Sequence, residues 1–306
     1  MFGKLPKIRD FVHVRVAGQA WGSFESWLTQ AVAWHESSRQ ASWLTLCAER
    51  RPLAFVYRAP RAAKASEILA GVLWPSSDAV GRRFPFVAFS RMAERDVARD
   101  PHLLPPSLTP YFEALAARGE GLASLDSAAD VDAHFQNIPE PMAGSAELSS
   151  SYTNWTTVTE WPELWANLYG DVKLEDIHGV LSMVVEAVRP FVGQESPTTP
   201  LALRLPLGTT PGVNASFWID LLRSCARWRA TVPTMFWSLG EPRTAILLQL
   251  GDPHASSLSE IWFPDRDNDH ACDLVRPIAP FGPIPEQVLR MGQAELVAQA
   301  LAAALL

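Results

Sequence analysis

The sequence predicts an α/β (α+β) fold: a central, mostly antiparallel sheet flanked by helices on both faces, with a second α/β half. Three short β-rich runs, at 53–58, 68–74 and 84–90, are too close together for crossover helices, so we expect antiparallel pairing. Apolar residues recur at helical spacing before and after these runs. The second half of the chain repeats this mixture of strands and helices.

Composition narrows the class of protein. Of the 306 residues, 48% are hydrophobic and 19% are charged, which is a globular balance. The net charge of −7 argues against a general nucleic-acid binder, because such proteins must neutralise phosphates. Cys47, Cys225 and Cys272 form no CxxC pair and are odd in number, so we expect neither a zinc site nor a disulfide framework. Without an apolar leader or spanning segment, the sequence predicts a cytoplasmic protein.

The first half is predicted from its N-terminus onwards. Residues 10–16 are expected to form a strand or an extended arm, and residues 21–49 one long helix or two short ones. A proline-rich connector at 101–110 should end the sheet, with helices at 108–118 and 128–136. Because residues 139–159 are rich in Pro, Ser and Thr, we predict a domain at 1–138 and a linker at 139–159.

The second half is predicted as an α/β unit at 160–275 and a helical tail at 276–306. Asn214 is expected to cap a helix that runs to about residue 229. The other expected elements are a helix at 174–189, a strand at 201–207, a hairpin of 234–239 and 243–250 through Gly240, Glu241 and Pro242, a helix at 257–262, a polar loop at 265–273 and a helix at 285–306.

Sequence motifs for cofactor and metal binding are either absent or lack residues that the motif requires. The phosphate-binding patterns GxGxxG and GxxxxGK[ST] are absent. His35 and Glu36 begin an HExxH pattern that lacks its second histidine, and the loop with Asp265, Asp267 and Asp269 lacks the glycine and glutamate of a calcium loop. We therefore predict no cofactor and no metal. A GxSxG elbow is also missing, so a hydrolase would need dispersed active-site residues.

The most distinctive stretch runs from residue 75 to residue 86, PSSDAVGRRFPF, between two predicted strands. Ser76 and Asp78 can bond nearby backbone N–H groups, Gly81 permits positive φ, and Asp78 and Arg82 are close enough to pair. One interpretation is a self-stabilised hairpin loop, which the residues alone favour. The other is a recognition loop that presents Trp74, Arg82 and Arg83 to a partner, because Trp and Arg dominate interface hot spots.

Two motifs carry a resemblance to a known family. The opening GKLPKIRDF, residues 3–11, resembles the GKLPxxGDF start of the TagF (ImpM) family, and residues 75–86 resemble its PSxDxVGRxFP signature. Between them, Ser38-Arg39 and Trp43-Leu44 lie where the family has an SR pair and a WL pair. Later FW and FWS segments, at 217–218 and 236–238, are similar to those of longer members. Arg9 stands where the family has glycine, so the turn there must be formed differently.

The resemblance implies a post-translational repressor of type VI secretion system assembly. Such a protein would bind the forkhead-associated scaffold protein, and it would have no catalytic role. We predict partner contacts at Lys4, Asp10, Trp74, Ser76, Asp78, Arg82 and Arg83, with an acidic face that speeds encounter with a basic partner. A structural adaptor of the secretion baseplate is the alternative, with baseplate components as partners. Neither function involves nucleic acid or membrane insertion.

Overall fold

A nine-stranded sheet organises the chain in the computed structural model, which describes residues 1–38, 52–194, 199–239, 245–262 and 271–305. The strand order is β2-β1-β5-β4-β3-β7-β8-β6-β9. In chain order the strands are β1 (Phe2–Gly3), β2 (Val12–His13), β3 (Leu53–Arg58), β4 (Glu67–Trp74), β5 (Phe86–Ala93), β6 (Ala202–Pro206), β7 (Thr234–Ser238), β8 (Ala245–Gln249) and β9 (Ala271–Asp273).

The predicted antiparallel pairing is confirmed. β3 pairs with β4 over six residues and β4 with β5 over eight, all antiparallel. β7 pairs with β8 antiparallel, as predicted for the two strands of the hairpin, and β9 beside β6 is the one parallel neighbour within the described ranges. The two halves of the chain meet where β3 pairs with β7, so strands of both halves share one sheet.

Helices cover both faces of this sheet, as predicted for an α/β fold. They are α1 (Gln19–Ser38), α2 (Glu94–Val97), α3 (Leu104–Ala117), α4 (Ala128–His134), α5 (Ala146–Val158), α6 (Trp161–Tyr169), α7 (Leu174–Val188), α8 (Pro211–Ala226), α9 (Ser257–Trp262), α10 (Glu286–Gly292) and α11 (Val297–Ala304). Residues of α1 and α9 pack on one face, beside Phe55 and Tyr57 of β3. Residues of α3, α6, α7, α8 and α11 pack on the other face, beside Ala54 and Val56.

The proline-rich connector predicted at 101–110 is wrong in its larger part. A short 3-10 helix spans Pro101–Leu103, and α3 begins directly afterwards at Leu104. Pro105 and Pro106 lie in the first turn of α3, where backbone N–H groups have no partner inside the helix, so proline loses nothing there. Pro110 lies farther inside the same helix.

The segment predicted as a linker, 139–159, contains a helix. Ser145 caps α5, because its hydroxyl accepts the backbone N–H of Leu148 at 3.2 Å. The buried side chains of Tyr152 and Thr156 hold α5 to the body of the protein. The boundaries of the two predicted domains stay predictions, although one sheet runs through both.

Two further helix predictions are corrected. Thr210, not Asn214, is the N-cap residue of α8, and Asn214 lies inside the helix with 1% of its surface exposed. The predicted C-terminal helix is two helices, α10 and α11. The chain between them pairs with the segment before α6, since the backbone N–H of Trp161 donates to the carbonyl of Glu295 and that of Val297 to the carbonyl of Thr159. These bonds take the place of the backbone bonds that one continuous helix would form there.

Several predictions fall outside the described residues. These are the second part of the helix at 21–49, the family-like residues Arg39, Trp43 and Leu44, Cys47, the turn at 240–242 and the acidic loop at 265–270. Residues 10–16 contain β2, which pairs with β1. None of the helices in the described ranges is long and apolar enough to cross a membrane.

Candidate protein-binding site

The loop between β4 and β5, residues 75–85, is a closed hairpin turn that we call the signature loop. Two backbone hydrogen bonds close it: the N–H of Asp78 donates to the carbonyl of Arg82 at 3.0 Å, and the N–H of Phe84 donates to the carbonyl of Ser76 at 3.2 Å. Gly81 adopts φ +84°, which glycine tolerates without strain. The loop is thus self-stabilised, as the first interpretation requires.

Asp78 is the centre of this loop. Its carboxylate is fully buried and accepts the backbone N–H groups of Val80 at 3.1 Å and Arg82 at 2.8 Å. It also forms ion pairs with Arg82 Nε at 2.6 Å and with Lys4 Nζ at 3.1 Å. The predicted Asp78–Arg82 pair is present, and Lys4 is an additional partner from the N-terminus.

These contacts govern the ionisation of Asp78. Burial acts to raise its pKa, but hydrogen bonds from the backbone and side chain of Arg82, from Lys4 and from the Val80 N–H outweigh burial. The pKa of the Asp78 carboxyl is therefore held well below its usual range. The carboxylate stays charged throughout the neutral range and keeps the loop closed.

Residues 4–10, which we call the N-terminal arm, are fastened to the signature loop. Ser76 Oγ donates to the carbonyl of Lys4 at 2.7 Å, and the N–H of Ala79 donates to Ile8 at 3.1 Å. The guanidinium of Arg82 also donates to the carbonyl of Arg9. Arg9 is not among the residues with positive φ, so the chain passes this point without the family's glycine.

Several predicted contact residues are buried. The ring of Trp74 is 3% exposed and packs near Phe86 and Phe135, each with a centroid separation of 6.1 Å. It also lies against Gly119, where an added Cβ would come within 2.5 Å of Trp74 Nε1. Lys4, Ser76 and Asp78 are buried as well. In this structure these four residues support the loop from inside.

A smaller set of residues forms the exposed surface of the site. The side chain of Arg82 is 57% exposed, and that of Asp10, 3.9 Å away, is 95% exposed. Beside them, Phe11 is 40% and Val80 62% exposed. We call Asp10, Phe11, Val80 and Arg82 the signature face. Arg83, the other predicted arginine, is half-buried and pairs with Ser77 in a single β-bridge.

Phe11 and Val80 were not predicted as contact residues, although both lie within the two motifs. The ring of Phe11 stacks on Phe2 at 5.2 Å and meets Phe84 edge-on at 4.9 Å, while Lys4 Nζ lies 5.0 Å from its centroid. The signal in the sequence was that each of them is an apolar residue close to polar residues of its motif. An apolar side chain that stays exposed at such a place can mark an interaction site.

Elsewhere, polar groups gather at the junction of the two halves. His102 approaches Arg223 with 3.4 Å between Nδ1 and a guanidinium nitrogen, and the hydroxyl of Tyr152 donates to Asp220 at 3.2 Å. Burial, together with the Arg223 charge, lowers the pKa of His102, although Asp220 and Asp100 oppose this. The cluster links the 3-10 helix at 101–103 to α5 and α8.

The hydrolase alternative requires a cavity lined by a histidine, an acid and a nucleophile. A cavity of about 240 Å³ lies between α3 and α8, lined mainly by apolar groups such as Phe112, Leu207 and Trp237. Its polar lining includes Glu113, Thr109 and Ser238, with no histidine among the described residues that line it. Within the described ranges, no cluster of His, Cys, Asp or Glu could hold a metal ion.

Comparison with known proteins bears on the class of this chain. Residues 1–139 match the family model described as the TagF N-terminal domain, type VI secretion system-associated. The chain is therefore a type VI secretion system-associated protein. Its N-terminal part, which contains the arm and the signature loop, is a TagF N-terminal domain, and the predicted resemblance is confirmed. A search of curated proteins gave no match.

A solved structure shares the fold over nearly the whole chain. It is the crystal structure of PA0076 from Pseudomonas aeruginosa PAO1, with a TM-score of 0.51 and 15% sequence identity. The similarity covers 93% of this chain and 98% of the other. At this identity the comparison supports the fold, including the second half that the family match does not reach.

Proposed function

We propose that this protein is a cytoplasmic, non-enzymatic repressor of type VI secretion system assembly that binds the forkhead-associated scaffold protein through the signature face. The observation that supports this proposal is a loop, held closed by the buried carboxylate of Asp78, that exposes Arg82 together with the apolar side chains of Phe11 and Val80. Arginine and aromatic residues supply most of the binding energy at protein interfaces.

The rigidity of the loop favours binding. The Arg82 side chain is held by Asp78 and by the carbonyl of Arg9, so little side-chain entropy remains to be lost on association. The backbone around Val80 is fixed by the carboxylate of Asp78. A preorganised surface of this kind suits recognition of a folded partner.

Charge is unevenly divided between the halves, which bears on encounter with the partner. Residues 1–139 contain 16 basic and 14 acidic side chains, whereas residues 140–306 contain 10 and 19. The acidic surface is thus distant in sequence from the signature face. A basic partner would be attracted mainly by the second half and would dock at the first.

Calorimetry with the purified scaffold protein tests the proposal. We expect saturable binding to the wild type and at least tenfold weaker binding to Arg82→Ala and to Val80→Asp. The Arg82→Ala/Arg83→Ala double variant should bind no better than Arg82→Ala. Arg95→Ala is the matched control, because Arg95 is 87% exposed and lies in α2, outside the signature face. Absence of binding at tens of micromolar, or equal affinity for all variants, would reject the proposed mechanism.

Genetics separates repression from a structural role in the baseplate. Deletion of a repressor should raise secretion, whereas deletion of an adaptor should abolish it. Complementation with Val80→Asp should then reproduce the deletion phenotype, and complementation with Arg95→Ala should restore the wild-type level.

A further inference from the structure

Among the residues that the structure describes, no strand lies beside the outer edge of β5 over most of its length. β5 pairs with β4 along all eight residues, from Phe86 opposite Trp74 to Ala93 opposite Glu67. On its other side, β1 reaches it only at Val87. Beyond that point, no strand of the described ranges continues the sheet beside β5.

The hydrogen bonds of Met1 determine which backbone groups of β5 point outward. The amino group of Met1 donates a hydrogen bond to the carbonyl of Val14 at 2.6 Å, and the carbonyl of Met1 accepts one from the N–H of Val14 at 2.9 Å. The polar backbone groups of Met1 therefore face β2. Because neighbouring residues of a strand face opposite sides, Phe2 faces β5 and pairs with Val87. The same alternation directs the N–H and C=O groups of Phe89 and Arg91 outward.

These outward groups are not hydrogen-bonded to any other described part of the chain. Ala93 adds a third outward N–H, while its carbonyl lies at the N-cap position of α2. Arg91 is exposed, and Phe89 and Ala93 are half-buried, so this part of β5 reaches the surface of the protein. Backbone groups in this situation bond to water until an extended chain replaces it.

A second copy of the same chain fits this edge poorly. In the antiparallel register that uses residues 89–93 of both copies, Arg91 would face the Arg91 of the other copy, and like charges directly opposite are destabilising. A register shifted towards Val87 would collide with β1, which already occupies that position. The edge therefore selects a strand of different sequence.

We propose that residues 89–93 form a β-augmentation site for an extended segment of a partner protein. The segment would place an apolar side chain beside Phe89, whose ring stacks on Trp21 at 5.0 Å. Opposite Arg91 it would carry an acidic or neutral residue, because Glu67 lies 3.9 Å from Arg91 and leaves that guanidinium half exposed. This site is separate from the signature face and does not depend on the proposed scaffold partner.

Amide hydrogen exchange on the full-length protein tests the first step. The N–H groups of Phe89 and Arg91 should exchange at least a hundredfold faster than those of Ser90 and Met92, which point towards β4. Equal protection at all four positions would show that the edge is already occupied and would overturn the proposal.

Peptide selection tests the second step. A phage library of random 12-residue peptides is selected on the wild type, and synthetic copies of the enriched peptides are titrated against two variants of one position. Arg91→Ala keeps the outward N–H, and Arg91→Pro removes it at an edge position where proline is tolerated. Binding to Arg91→Pro should be at least tenfold weaker than binding to Arg91→Ala. N-methylation of alternate peptide amides should abolish binding to the wild type. This measurement uses the wild-type protein alone, so it does not depend on whether a variant folds.

Three outcomes would reject the proposal. One is a library that yields no binder. Another is a set of peptides that bind Arg91→Pro as well as Arg91→Ala and tolerate N-methylation. The third is a wild-type dimer in sedimentation that Arg91→Pro converts to a monomer, because the edge would then serve a second copy.

Discussion

Lys4 and Asp78 form a buried ion pair, with 3.1 Å between the ammonium nitrogen and the carboxylate oxygen. Their side chains are 7% and 0% exposed, so water solvates neither charge well. The pair joins the first motif of the chain to the second, and Arg82 shares the same carboxylate from the surface. Removing one partner of such a pair leaves an uncompensated charge inside the protein.

Asp78→Asn is expected to lower the free energy of unfolding by about 3 kcal/mol, because the ammonium group of Lys4 loses its buried counter-charge. Denaturant unfolding followed by tryptophan fluorescence measures this loss. Asp10→Asn is the control, since Asp10 is 95% exposed and should change stability by less than about 0.5 kcal/mol. Equal effects of the two substitutions would show that the buried pair is not important for stability.

Stability should also depend on acid through Asp78. Its pKa is lowered in the folded state, so the unfolded chain takes up a proton first as pH falls through about 4. The contribution of ionised Asp78 to the free energy of unfolding is therefore complete above that pH and is lost progressively below it. The stability difference between wild type and Asp78→Asn should shrink from pH 6 to pH 3. A difference that stays constant would contradict the assignment.

Gly179→Ala should destabilise the protein by about 2 kcal/mol through overpacking. A Cβ at this position of α7 would lie 1.7 Å from the carbonyl oxygen of Ile278, so the segment before α10 would have to move. Gly22→Ala in α1 provides the control. Nothing lies within 4 Å of its added Cβ, and alanine there should raise stability by up to about 1 kcal/mol. Thermal melts of both variants test whether Gly179→Ala lowers the melting temperature and Gly22→Ala raises it.

The thiol of Cys225 should resist modification in the folded protein. Burial raises its pKa to about 12, so at pH 8 hardly any thiolate is present. Mass spectrometry after treatment with iodoacetamide should find Cys225 unlabelled in buffer and labelled in denaturant. Cys272 is the internal reference: it is half-buried and also has a raised pKa, and its labelling should be faster. Faster labelling of Cys225 than of Cys272 in buffer would be inconsistent with this packing.

Local patterns were sufficient for β3, β4 and β5 and for the antiparallel pairing among them, because turn residues and β-rich runs alternate over short distances. The Asp78–Arg82 contact was also predictable, since both residues belong to one turn. The Lys4 contact was not, because it depends on β1 lying beside β5 in the folded sheet. Local spacing contains no information about that neighbour.

Helix ends were predicted less well, and each error has a physical source. Pro105 and Pro106 usually break helices, but they cost nothing in the first turn of α3. The alanine-rich C-terminus suits one helix, yet the backbone bond from Trp161 to Glu295 interrupts it. Burial of Trp74 could not be read from a motif in which tryptophan equally suits an interface or a core.

The pairing of β3 with β7 has a consequence for any shortened version of the chain. All six residues of β3 are buried, and on one side this strand pairs with β7, which follows residue 139 in the chain. A fragment ending at that residue would expose the backbone edge of β3 and much of its apolar surface to water. Such a fragment should aggregate on expression, even though it corresponds to the region that the family match delimits.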